Sequence, residues 1–371
     1  MRNNLQLYHR LVGQLVQWLP DERVTRHRNL ALLVVGLFAS SSVQLSKVVR
    51  HWPVAGKVPS LVNRLHRFLA NEWVIPQAWY QPVAQQLLVY LSCHRLRLVI
   101  DTTQVGFSHR ALVVGVAYRR RTLPVAWSLH HGAMGNVAVT AVIRLLESVH
   151  RCLPPGCQVE LLADSAFNPS DLLFWLRQHH WHYVIRQRPQ THFRRPGGHW
   201  LSLSSLSLAP GQTLVVGWVW VTKTNPFGLT WLTLHWAKGE ESPWILMSDM
   251  PNAKWVIRAY RRRMWVEEMF GDMKRHGFDL HTTHLRDAAR IERLLLGVCI
   301  AYTCLISLGS WVVKNGYRHL IDHKSRRDKS YFRLGWEWVA RCLRLDLPLS
   351  LIHISEPTRR TPISYAVFCL K

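Results

Sequence analysis

The chain has 371 residues, with 47 Lys and Arg against 22 Asp and Glu and a formal net charge of +25. A hydrophobic fraction of 48% is enough to bury a core, which excludes a disordered basic tail. The positive excess favours a polyanion, nucleic acid first, with an anionic membrane surface or a merely basic solvated shell as the alternatives.

The length suits one large domain with an insertion, or about two to three domains. The cysteines form no C-x2-C pair and the histidines no H-E-x-x-H pattern, so structural zinc is not expected. The start, MRNNLQLYHRLVGQLVQWL, has helical spacing with Arg10 inside it and does not read as a signal peptide. A reducing cytoplasm is the expected compartment.

Residues 1–80 read as mostly helical, with a dense apolar run from Leu30 to Leu37. Ser60 to Asn71 carries Leu61, Leu65, Phe68 and Leu69 at helical spacing, and Ser60 can cap that helix. Arg64 and Arg67 fall on its adjoining turns, either as a DNA-docking face or as a solvated basic one. From Leu96 the pattern changes to strands: LRLVID, then ALVVGVAYR and TLPVAWSLHHG around a basic turn, Arg119 to Arg121. Asn136 to Val149 is a helix candidate, and QVELLADSAF is a short strand ending at Asp164. Asn168 and Pro169 offer a cap and a first-turn proline for the helix SDLLFWLRQHH, and YVIR makes a fifth strand. The order βββαβαβ predicts a mixed α/β fold compatible with a ribonuclease-H-like sheet.

Residues from about 190 to 250 are β-rich and heavy in tryptophan, and read as a β-strand insertion. Trp218, Trp220, Trp231, Trp236 and Trp244 are expected mainly in a core, with one of them a candidate platform for an unpaired base. Leu294 to Val313 is uncharged and long enough to span a bilayer, but a buried core helix is the favoured reading. The last stretch, LSLIHISEPTRRTPISYAVFCLK, resembles the translation of two sequencing-library adaptors in one frame. Residues 349–371 are therefore expected not to be native.

The stretch YRRRMWVEEMFGDMK, Tyr260 to Lys274, keeps acids in a basic chain. At ~100° per residue, Tyr260, Arg263, Glu267 and Lys274 share one helical face. Arg263 and Glu267 by themselves are an ordinary i,i+4 pair. Asp101 and Asp164, however, each close an apolar strand, at a sheet rim where ligands commonly bind. Three converging carboxylates repel and need cations. Mg²⁺ or Mn²⁺ prefers such oxygen ligands, and two ions roughly 3.5–4 Å apart suit phosphoryl transfer.

Here the sequence resembles a family. Asp101, Asp164 and Glu267 look like the Asp-Asp-Glu triad of bacterial insertion-sequence transposases. Tyr260, Arg263, Glu267 and Lys274 match the Y-x2-R-x3-E-x6-K signature of the cut-and-paste subgroup with a β insertion. One position departs: Ser165 stands where members often have an arginine after the second aspartate. The resemblance implies a ribonuclease-H-like core and a triad that binds two divalent cations. Arg263 and Lys274 would neutralise phosphates, and Tyr260 would donate a hydrogen bond to one. The implied reaction is cleavage at the transposon end, hairpin formation and reopening, and joining to target DNA. The resemblance also implies double-stranded DNA as partner, through terminal inverted repeats and target, a homodimer in the paired-end complex, and a place at the bacterial nucleoid with no membrane. Glu268 points about a quarter turn away and reads as an ordinary neighbour.

The expected organisation is a helical, DNA-binding segment at 1–90, a first core part at 91–188, the insertion at 189–250 and a second core part at 251–348. Three other readings remain open: a metal-dependent nuclease of the same fold, a decayed transposase that only binds DNA, and a protein anchored by Leu294 to Val313.

Overall fold

The computed structural model describes residues 2–345, without 93–94 and 133–136, together with residue 347. The adaptor-like tail and the start of the helix expected from Asn136 lie outside the described residues.

Five helices come first: α1 (Arg2–Trp18), α2 (Val24–Ser40), α3 (Leu45–Val49), α4 (Val58–Leu69) and α5 (Pro76–Leu91). The apolar run from Leu30 to Phe38 makes most of α2 buried on every side. Helix α4 starts two residues before Ser60, which lies inside its first turn and caps nothing. Pro59 explains the shift, because its fixed φ suits a first helical turn without a side-chain cap.

Next come β1 (Leu96–Val105), β2 (His109–Tyr118), β3 (Arg121–His131), α6 (Val139–His150), β4 (Val159–Ala163), α7 (Ser170–Gln178) and β5 (His182–Arg186). Strands β1, β4 and β5 are parallel neighbours, and β2 and β3 extend β1 antiparallel. That gives the order β3-β2-β1-β4-β5, the ribonuclease-H-like arrangement. VELLA of β4 is buried throughout, as a strand covered on both faces requires. Helix α7 begins at Ser170, so Pro169 takes the capping position, and Asn168 turns away to donate to Gln187 Oε1 at 3.4 Å.

The β2–β3 turn is only two residues long, Arg119 and Arg120, both with positive φ, and Arg121 already belongs to β3. Glycine or asparagine is usual in such turns. Here Arg119 lies over the rings of Tyr118 and Tyr331, 5.4 and 5.2 Å from their centroids, which holds the turn in place.

Strands β6 (His192–Arg194), β7 (Leu201–Ser202), β8 (Thr213–Val221), β9 (Phe227–His235) and β10 (Trp244–Ser248) extend the chain. They form no separate layer. Strand β10 pairs antiparallel with β5, and the rest continue outward, so that ten strands form one sheet among the described residues. The five tryptophans expected in a core are not buried here. Trp218 is 39% exposed and the other four are half-buried. The cause is position: these strands sit towards one end of the sheet with a face left open. Trp218 and Trp231 cover each other there, edge to face at 5.6 Å.

The chain closes with α8 (Ala253–Arg261), α9 (Trp265–Met273), α10 (Ala288–Lys314) and α11 (Tyr331–Leu345). Helix α10 is apolar and long enough to cross a membrane, yet 89% of its most apolar window is buried against the protein. Tyr80 ties it down, its hydroxyl 2.9 Å from both Thr303 Oγ1 and Pro124 O. Helices α10 and α11 cross at glycines. A Cβ at Gly309 would strike the Tyr331 carbonyl, and one at Gly335 the Leu305 carbonyl.

Candidate active site

The parallel register builds one row of side chains. Ile100 is aligned with Ala163, and Ala163 with Ile185. The next residues are therefore Asp101, Asp164 and Arg186, side by side where β4 and β5 end, the usual place for a ligand in such sheets; Asp101 does not close its strand as expected, because β1 runs on to Val105 along β2.

Asp101 is buried, at 8% exposure, and Asp164 is half-buried in the turn after β4. Backbone amides fix one oxygen of each: Thr102 N donates to Asp101 Oδ1 at 2.7 Å, and Ala166 N to Asp164 Oδ1 at 2.9 Å. The other oxygens face Arg263.

Helix α8 starts with Asn252, whose Oδ1 accepts from Trp255 N at 3.0 Å. The expected single helix from Tyr260 to Lys274 is interrupted at Arg262–Met264 by a 3-10 turn. Three residues at the tighter pitch rotate α9 by about 60° relative to a continuous α-helix. Tyr260 and Arg263 end up buried, Glu267 is half open on the first turn of α9, and Lys274 lies just past its last turn. Arg263 and Glu267 meet at the carboxylates with Tyr260 beside Arg263, whereas Lys274 stands at the far end of α9, so the four do not share one helical face.

Arg263 occupies the centre. Its Nη2 lies 2.7 Å from Asp101 Oδ2 and 3.6 Å from Asp164 Oδ2, and its Nη1 2.6 Å from Glu267 Oε1. One guanidinium thus touches all three carboxylates. Its buried Nε has no partner among the described residues. Burial pushes the Asp101 carboxyl up to about 6, against the pull of Arg263. Burial would lower the Arg263 pKa, but Asp101, Tyr260, Asp164 and Glu267 outweigh it and raise it. The phenol of Tyr260 is raised by burial and drawn back by Arg263 and Arg186, and its ring packs edge-on against Trp244 at 5.1 Å. Burial lowers the Lys274 pKa, and Arg275 beside it lowers it further.

Oxygen donors from three carboxylates suit a hard divalent cation. Among the described residues, however, no three acidic, imidazole or thiol groups already stand as a metal-binding cluster. The guanidinium fills the space between the acids, so a metal would enter as Arg263 leaves.

Helix α9 is pinned from its other side. Arg121 donates from Nε to Asp272 Oδ2 at 2.6 Å and lies 3.2 Å from Glu268 Oε2 through Nη1. Glu268 is therefore no idle neighbour: with Asp272 one turn on, it fastens α9 to β3. Arg64 and Arg67 lie apart on α4. Arg64 Nε donates to Asn29 Oδ1 at 2.8 Å inside the helical bundle, and Arg67 is exposed.

Sequence reading missed Arg186 and the Arg121 fork. Arg186 had a usable signal, since it ends the run YVI as Asp101 and Asp164 end theirs. The fork had none, because Arg121 and Asp272 lie 151 residues apart.

Comparisons with known proteins give the family, and Asp101 lies just outside the matched span. Residues 108–304 match the family model described as the transposase DDE domain, and that span holds Asp164, Arg186, Arg263 and Glu267. A solved structure of piggyBac transposase, in a synaptic complex with hairpin DNA, is similar at 11% identity and a TM-score of 0.45, over 98% of this chain and 88% of that one. Comparison with curated proteins returns no match. With more than half of its length matched by one family model, the chain belongs to the transposases with a DDE domain, enzymes that cut and join DNA.

Proposed function

We propose that this chain is a cut-and-paste transposase of the bacterial insertion-sequence type, acting through Asp101, Asp164 and Glu267. The observation that carries the reading is their convergence on Arg263 at the C-terminal rim of the sheet. Three carboxylates gathered in a partly buried site need positive charge, and a basic protein that acts on phosphates gives them a use.

Two divalent cations, Mg²⁺ or Mn²⁺, held by these three residues, supply Lewis-acid stabilisation of the attacking and leaving oxygens when bound. The remaining work belongs to the chain. Asp101 and Asp164 are held by backbone amides, so their oxygens stay aimed across the rim. Arg263, once freed from them, presents a planar fork that fits a phosphodiester, and Arg186 stands one strand away to do the same. Tyr260 backs both guanidiniums, and Lys274 adds charge at the far end of α9.

Residues 1–90 form the DNA-docking segment, with Arg67 free to reach a phosphate and Arg64 shaping the bundle. The core parts at 91–188 and 251–348 hold the chemistry, and 189–250 covers the DNA end. The partners are the terminal inverted repeats and target DNA, engaged by a homodimer at the nucleoid in the cytoplasm.

The test is strand joining. Pre-cut ends carrying the repeats that flank the gene are offered with a plasmid target and Mg²⁺ or Mn²⁺. Joined product that disappears in Asp101→Asn and in Glu267→Gln is the expected result. Nicking without joining points to a nuclease, and joining that survives either substitution rejects these residues.

A further inference from the structure

Beside Lys274 the surface opens into a second polar hollow of about 390 Å³. The turn after α9 lines it with Arg275, His276 and Asp279, α11 with Arg333, and the end of α2 with Ser41. Three parts of the chain that are distant in sequence meet there.

Its charges are not internally matched. Elsewhere, partly buried arginines hold a carboxylate: Arg97 with Glu160 at 2.9 Å, Arg121 with Asp272 at 2.6 Å and Arg318 with Asp322 at 2.6 Å. Lys274 is half-buried and Arg275 exposed, and among the described residues neither side chain has a hydrogen-bond or ion-pair partner. Arg333 gives only Nε to Glu337, at 3.3 Å, which leaves both Nη groups for another acceptor. The one acid of the hollow faces its own turn. Asp279 accepts from Thr282 Oγ1 at 3.0 Å and lies 3.3 Å from His281 Nε2. Adjacent cations without an internal partner are stabilised by an external anion.

The hollow also follows directly on the helix that carries Glu267. Glu267 sits in the first turn of α9 and Lys274 just past its last, a rise of about 10 Å along one helix. A nucleic-acid strand leaving the carboxylates along α9 reaches the hollow within a few nucleotides.

We propose that this hollow binds the phosphodiester backbone of duplex DNA beyond the bond being cut, with Arg275 and Arg333 each neutralising a phosphate. The proposal rests on the transposase reading of the carboxylate site.

The full chain is titrated onto a linear duplex of arbitrary sequence at several salt concentrations. Removing one cation from a phosphate flattens the slope of log K against log salt by about 0.9. Arg275→Gln and Arg333→Gln are expected to flatten it by about that amount each, and the double variant by about twice as much. Arg144→Gln, on α6 and outside the hollow, is the control and leaves the slope unchanged. An unchanged slope in the double variant overturns the proposal. So does protection of the wild-type chain against heat by inorganic phosphate that vanishes in the double variant without any change in slope, because the hollow is then a small-anion site. Cleavage of a duplex carrying the terminal repeats is measured in parallel with Asp101→Asn. Cleavage abolished there with slopes unmoved sinks the hollow and spares the transposase reading. Slopes flattened with cleavage intact keep the hollow and reject the carboxylate site.

Discussion

Arg263 Nη2 stands 2.7 Å from Asp101 Oδ2, and both side chains are only 11% exposed. The guanidinium stands in for the positive charge that three carboxylates require. Replacing it by a neutral group leaves those charges facing each other in a poorly solvated site. Arg263→Gln is expected to lose about 3–5 kcal/mol at neutral pH without metal, as removal of one partner from a buried pair does. Mn²⁺ should then restore more stability to the variant than it adds to the wild type, because nothing competes for the oxygens. Thermal melts with and without Mn²⁺ read both effects. A variant as stable as the wild type in chelator would show that Arg263 balances no charge.

Metal binding should depend on pH through Asp101. Its carboxyl is pushed up to about 6, and only the ionised form can hold a metal. Mn²⁺ affinity is therefore expected to climb as pH rises to about 6, by up to tenfold per unit, and to level off above it. Calorimetric titration between acid and neutral pH checks this. Asp101→Asn should lack the inflection.

Asp272 gives a separate pH signature, on stability. Burial raises its carboxyl from 3.8 to about 6, opposed by Arg121. The folded chain then binds more protons than the unfolded one between those values, so this group's contribution to stability falls as pH rises across that window. Asparagine cannot ionise. Asp272→Asn should gain on the wild type from about pH 4 to about pH 6 by up to roughly 3 kcal/mol, then keep a constant difference. Urea unfolding across that range measures the gap. A variant that loses ground to the wild type as pH rises would contradict the assignment.

The crossing of α10 and α11 should tolerate no added methyl. Gly335→Ala drives a Cβ into the Leu305 carbonyl, where backbone rather than a flexible side chain must move. A loss of about 1–3 kcal/mol or more is expected from such overpacking. Denaturant midpoints decide it, and a shift within error would mean the helices can part without cost.

The carboxylates were legible because aspartates ending apolar runs are a local pattern, visible in LRLVID and QVELLAD. Arg263 was legible as part of the signature, but its place at their centre was not. Spacing paired Arg263 with Glu267, four residues on, whereas its contact with Asp101 spans 162 residues and depends on sheet register and on the 3-10 turn that rotates the helix. The insertion misled for a related reason. Tryptophan-rich strands imply burial, but alternation along β8 and β9 does not say whether anything covers the outer face. The site of Lys274 past the helix end, at φ −101° and ψ −119°, likewise escapes a reading that assumes unbroken helix.

The antiparallel pairing of β10 with β5 has a mechanical meaning. An appendage joined by loops can swing on them, but one stitched into the same sheet cannot move without bending the strands it shares. The hairpin of β8 and β9 is therefore a fixed arm whose length is set in strand spacings from Arg186. The distance from that arm to the carboxylates is thus fixed by the width of the sheet between them, not by the slack of a linker.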